Sequence, residues 1–177
     1  MRRNHGAAIV GGGVTGPYIQ GELARLFVAL NPPEALKEQL TELANRISPL
    51  PPGWHWQAPE MLHLTARFFG DVPVDEIPAL QEQLATIAPR HTPMRLQLTG
   101  WGAFPSASRA RDLAILPPPA APRPFKPHLT LARCRVESNL EKLLPTLPAF
   151  SSDWEVTDVA LMRSYLETGN ATHKQLF

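Results

Sequence analysis

The chain predicts an α+β fold, a bilobal repeat with pseudo-two-fold symmetry. Each lobe is a small antiparallel-type sheet with helices outside, and a cleft runs between the lobes. Three observations predict it. Short apolar runs, some alternating with polar residues, sit between stretches whose apolar residues recur every three or four positions. Proline occurs 20 times in 177 residues, about twice its usual ~5% share, and demands short elements with abrupt ends. The tripeptide His-Leu-Thr occurs twice, at 63–65 and 128–130. Each copy opens a strand-like run that leads on to a helix-like segment, so the two halves repeat.

The elements follow in order. Arg25 to Leu30 is a short apolar run that stops at Asn31-Pro32-Pro33, a buried strand. Pro33 suits the first turn of a helix and Glu34 its positive end. Leu36, Leu40, Leu43 and Ile47 then line one helical face. Pro49, Pro51, Pro52 and Gly53 end it. Trp54-His55-Trp56 leads into a strand from Met61 to Phe69, and Gly70-Asp71-Val72-Pro73 reads as a turn. Asp75 to Ala88 is helical, with Ile77, Leu80, Leu84 and Ile87 on one face. Met94 to Thr99 alternates as a half-buried strand, which Gly100 to Pro105 breaks.

Asp112 to Leu116 is a strand, Pro117 to Pro127 a proline-rich connection, and His128 to Cys134 another strand. A short helix spans Leu140 to Leu147, and Trp154 to Leu166 is mostly strand. His173 falls in a mobile tail. The reading is one domain over 23–177, with lobes at roughly 23–90 plus an exchanged C-terminal strand, and 91–177. The second lobe is trimmed: it lacks a helix before its motif strand. Residues 1–22 read as a flexible extension. Its Gly11-Gly12-Gly13-Val14-Thr15-Gly16 follows Ala7-Ala8-Ile9-Val10 and imitates a dinucleotide-binding loop. No crossover helix fits before the next strand, and no acid ends a second strand at the required distance.

Composition bounds the function. Hydrophobic residues make up 44% and charged residues 19%, enough to build a core and too little charge for a disordered polyelectrolyte. The single cysteine, Cys134, excludes an internal disulfide or a cysteine metal cluster. No run approaches the ~18 apolar residues of a membrane span. These features suit a soluble protein of the reducing cytoplasm, and nothing marks a protein partner. Net charge is +1, unevenly spread. Between Arg90 and Arg135 eight Lys and Arg face one acid, Asp112, for a local charge of +7. Elsewhere nine bases face fifteen acids, leaving −6. Such a segment suits an anionic ligand; scattered surface arginines are the alternative.

The paired motif carries the chemistry. With 6 His and 11 Thr in the chain, random placement yields roughly 0.4 His-x-Thr pairs, and two occur, both with Leu between. Strand side chains alternate faces. His63 and Thr65 therefore share one face, His128 and Thr130 another, while Leu64, Ala66, Leu129 and Leu131 point into a core. Two imidazoles can supply a base for an attacking oxygen and an acid for a leaving one near neutral pH. Two hydroxyls can bind the non-bridging oxygens of a phosphodiester. One nitrogen per motif and no carboxylate cluster give no reason to invoke a metal. Among the other histidines, nothing pairs with His55, and Trp54 and Trp56 beside it could form a stacking platform.

Three segments carry a family resemblance. They are Arg25-Leu26-Phe27-Val28-Ala29-Leu30; His63-Leu64-Thr65 running on to Phe69-Gly70-Asp71-Val72; and Phe125-Lys126-Pro127-His128-Leu129-Thr130-Leu131-Ala132-Arg133. Over residues 23–168 the chain resembles the two-histidine phosphoesterases, in the branch of RNA 2′,3′-cyclic phosphodiesterases also called 2′-5′ RNA ligases. The resemblance implies the two motifs facing across a cleft. It implies hydrolysis of 2′,3′-cyclic phosphate ends, on RNA or nucleosides, to 2′-phosphomonoesters without metal or cofactor. By analogy His63 is the proton donor and His128 the proton acceptor, while Thr65, Thr130 and Arg133 bind the phosphate. Strand parity alone sets Arg133 opposite His128, so a solvated strand-end arginine is its alternative. Arg67 has the parity of His63 but no counterpart in the family. Phe125 is a candidate to stack on a base, or to pack in the core. The rival functions are 2′-5′ ligation or another cyclic-phosphate esterase, and RNA binding without turnover. Two departures stand out. Residues 106–127 are too few and too proline-rich for the helix the family places there, and the C-terminal pattern of Ser164, Leu166 and Gly169 lacks its following tyrosine, with His173 there instead.

Overall fold

The computed structural model describes residues 23–47, 49–90, 92–118, 126–167 and 170–177. The glycine-rich extension and Phe125 lie outside the described residues. The fold is α+β. Its strands are β1 (Leu23–Leu30), β2 (Trp54–Trp56), β3 (Leu64–Pro73), β4 (Met94–Leu98), β5 (Gly100–Phe104), β6 (Ala110–Leu116), β7 (Leu129–Ser138), β8 (Ser152–Val156), β9 (Ala160–Glu167) and β10 (Asn170–Gln175). Its α-helices are α1 (Glu34–Arg46) and α2 (Ile77–Ile87). Seven strands form one path, β10-β9-β1-β3-β7-β6-β5, and β2 adds to β7. All these pairings are antiparallel. β4 and β8 form a separate two-stranded sheet.

One face of the large sheet is the core. Ala24, Leu26, Val28 and Leu161 pack against Ile77, Leu80 and Leu84 of α2. Further along, Leu36, Leu40 and Leu43 of α1 meet Leu64, Ile115, Leu129 and Leu131, with Trp154 and Val156 of β8 completing the layer. α1 thus covers the motif strands and β6 as well as the end of β1 at Leu30. Each fully buried leucine here contributes about 1.5–3 kcal/mol relative to exposure.

Irregular pairing explains most departures from the sequence expectation. β3 runs through Gly70-Asp71-Val72-Pro73, which form no turn. Gly70 holds φ +79, open to glycine, where Leu26 pairs with Gly70 and Phe27 with Phe68. Phe69 is therefore the extra residue of a bulge, and the strand continues. A second bulge leaves Ala66 between Thr65 (opposite Ala29) and Arg67 (opposite Val28). Ala66 is exposed instead of in the core, and Arg67 falls on the α2 side, away from His63. Gly100–Phe104 is a strand where a break was expected. A Cβ on Gly102 would stand 2.6 Å from Leu116 Cδ1, so glycine lets β5 close onto β6. The expected helix at Leu140–Leu147 is a turn followed by one 3₁₀ turn at Leu144–Thr146. The expected mobile tail is β10, pinned by Gln81 Nε2 donating to the Leu176 carbonyl at 2.6 Å.

Candidate active site

The face opposite the helices brings the two motifs together. His63 and His128 stand immediately before β3 and β7, and Leu64 pairs with Leu129 at the centre of the sheet. In antiparallel register the neighbours of a pair oppose one another. His63 therefore stands across from Thr130, and Thr65 across from His128. The buried leucines between them anchor this square in the core, with Leu64 3% and Leu129 0% exposed.

Both imidazoles are held the same way. His63 Nδ1 lies 2.8 Å from the Met61 carbonyl and His128 Nδ1 lies 2.8 Å from the Lys126 carbonyl. A carbonyl only accepts, so each Nδ1 carries the proton and donates. In the neutral ring Nε2 is then the free base, and in the cation it is the acid. Each ring also rests on a phenylalanine. Phe27 sits 5.0 Å from His63 at 34°, and Phe104 sits 4.3 Å from His128 at 31°. Such contacts restrain ring orientation.

A cavity of about 350 Å³ opens beside His63, lined by Arg25, Phe27, His63, Thr65, Phe68, Arg133, Ser164, Ala171 and His173. Arg133 faces it despite its parity. On β7 Thr130 pairs with Ala114 and Ala132 with Leu113, so Leu131 is a bulge residue. That extra residue returns Arg133 to the face of Thr130. Arg133 Nε donates to Asp112 Oδ1 at 2.8 Å, which anchors the guanidinium. The basic segment is not an open patch. Arg95 and Arg109 pair with Asp153 and Glu137 from outside it, and Arg111 donates to the Arg135 carbonyl.

Electrostatics separate the two motifs. The His63 pKa is lowered to about 4, first by burial, then by the nearby charges of His173, Arg133 and His128, against a raising effect of the Met61 carbonyl. His173 is lowered too, by burial and then by Arg133. Burial disfavours a charged His63, and the positive neighbour Arg133 adds to that effect on both histidines.

Sequence reasoning missed His173, Phe27 and Phe104 as site residues. His173 stands 5.2 Å from His63 and 5.0 Å from Phe27, edge-on to both. Its only sequence signal was its place where a tyrosine was expected. Trp54 and Trp56 form no stacking platform. Trp54 is buried in the core and Trp56 packs against it, while His55 between them is exposed and pairs in register with Arg133. Among the described residues no three His, Cys, Asp or Glu side chains converge as a metal site requires.

Comparison with known proteins agrees with this geometry. The family model described as LigT like Phosphoesterase matches residues 30–114. An RNA 2′,3′-cyclic phosphodiesterase of Thermus thermophilus is 32% identical over 172 residues, covering 81% of this chain and 83% of the relative. The chain belongs to the LigT-like phosphoesterase family. A Methanothermobacter thermautotrophicus relative of the same description is 23% identical over 80% of this phosphoesterase and 90% of the relative. Among solved structures, a Thermus thermophilus protein superposes with a TM-score of 0.72 at 28% identity, over 86% of this phosphoesterase and 95% of that chain. E. coli LigT complexed with NADP+ superposes at 0.67 with 25% identity, over 88% and 96%.

Proposed function

We propose that this phosphoesterase is an RNA 2′,3′-cyclic phosphodiesterase that opens the cyclic phosphate to a 2′-phosphomonoester. The observation that carries the reading is the matched pair of imidazoles. Both are fixed in one tautomer with Nδ1 held by a carbonyl, each one register step from the Leu64–Leu129 pair on opposite sides of it, and each faces a threonine. We read the sheet as two lobes related by a pseudo-two-fold axis between these strands, which would give each lobe one histidine, one threonine and one supporting phenylalanine. The substrate is an RNA end or a nucleoside cyclic phosphate, met in the cytoplasm, where a free Cys134 stays reduced.

Water attacks phosphorus as His128 Nε2 takes its proton; the P–O3′ bond breaks, and protonated His63 Nε2 gives its proton to O3′. Proton exchange with solvent resets both rings. The Thr65 and Thr130 hydroxyls donate to the non-bridging oxygens as charge builds there, and Arg133 adds its positive field. In the free protein His63 is neutral at pH 7, since its pKa is near 4. The bound phosphodiester brings a negative charge that raises it toward the protonated form needed of an acid.

The test is hydrolysis of nucleoside 2′,3′-cyclic phosphates in EDTA by wild type, His63→Ala and His128→Ala. The expected product is the 2′-phosphate, and each variant should lose roughly 10²–10⁴-fold in kcat. Full activity in the double variant would overturn the proposal.

A further inference from the structure

The cavity extends past the catalytic pair. His173, Ser164 and Arg25 occupy one row across three strands: His173 pairs in register with Ser164, and Ser164 with Arg25. All three line the cavity beside His63. The row sits two residues along β1 from Phe27, the ring beneath His63, which is about 7 Å at strand rise. At its Arg25 and Ser164 end that distance suits a second group of the substrate, while the His173 ring bridges back to His63 at 5.2 Å. The chemistry of the row is anion-binding. It offers a guanidinium, a hydroxyl and an imidazole, and no carboxylate is among the described residues that line the cavity. Asp71 ends the row beyond Arg25 but does not line the cavity. The Arg25 guanidinium instead lies over the Phe68 ring, 5.2 Å from its centroid. That contact holds the charge at the cavity rim, and Phe68 itself is 52% exposed.

We propose that Arg25, Ser164 and His173 form a subsite for the phosphate on the 5′ side of the terminal nucleotide, so that the protein selects RNA ends over free nucleoside cyclic phosphates. This rests on the phosphodiesterase reading and specifies its substrate. None of the three was expected at the site from sequence. Arg25 and Ser164 belong to strands with no histidine motif, and the tail that carries His173 reaches the site only because β10 pairs with β9.

The test compares adenosine 2′,3′-cyclic phosphate with its 5′-phosphorylated form, which adds the anionic group without a second base. Wild type should favour the 5′-phosphorylated substrate in kcat/KM by about tenfold, the scale of one or two charge-assisted hydrogen bonds. Arg25→Gln should erase most of that preference. His173→Phe keeps a ring against Phe27 and should reduce it in part. Equal wild-type kcat/KM for the two substrates would overturn the subsite. So would an Arg25→Gln variant that loses equally on both, which would place the terminal nucleoside in the row. Turnover of neither substrate would overturn the phosphodiesterase reading and the subsite with it.

Discussion

His63 should make the fold acid-sensitive by a calculable amount. Its pKa is about 4 in the folded chain, against ~6.5 for an unperturbed histidine. The unfolded chain therefore binds a proton more readily between these values, and stability falls as pH falls through that window. Above pH ~6.5 both states are neutral and the group contributes nothing. Integrating the linkage from neutrality, the loss is about 2 kcal/mol at pH 5 and about 3 kcal/mol at pH 4. That is a large part of the ~5–15 kcal/mol that holds a domain together. The perturbation is His63→Gln, which keeps a polar side chain but removes the titration. Urea unfolding of both proteins at pH 7.5, 5 and 4 measures it. The variant can be less stable at pH 7.5, but its stability should decline less on acidification, by those amounts. His173 is lowered as well and remains in both proteins, so the difference reports His63 together with its coupling to His173. Parallel pH profiles for the two proteins would refute the reasoning.

Two further outcomes follow from the site. Phe104→Ala removes the ring stacked on His128 and leaves the motif intact; under the proposed mechanism kcat for cyclic-phosphate hydrolysis should drop about tenfold with KM little changed, since the orientation of His128 is what is lost. Arg133→Gln removes a positive neighbour that lowers the His63 pKa, so the acid limb of the kcat/KM–pH profile should move to higher pH while KM rises.

The meeting of the two motifs was legible because each is written in adjacent letters. His-x-Thr needs only strand alternation to place imidazole and hydroxyl together, and the second copy made chance a poor account. The buried strand at Leu26–Leu30 and the helix face at Leu36, Leu40 and Leu43 followed from apolar spacing and were found as expected. Positions beyond the bulges could not be read. Each extra residue, Ala66, Phe69 or Leu131, reverses the parity that follows it. This is why Arg67 seemed well placed and Arg133 badly placed, when the structure has the opposite. Glycine misled twice. At Gly70 it serves a bulge and at Gly102 a close strand approach, whereas in sequence both look like stops. His173 and Phe104 reach the site through pairings of distant strands, for which local pattern carries no signal.

The single pair Leu64–Leu129 also has a mechanical meaning. It is the one register pair that joins β3 to β7, while β1 and β3 share eight. The two histidines thus straddle the thinnest seam of the sheet, stitched from behind by leucines and α1. A phosphate gripped by both threonines would act as a strut across that seam. Its binding should slow hydrogen exchange at the Leu64 and Leu129 amides more than in β9, where the sheet is already braced on both sides.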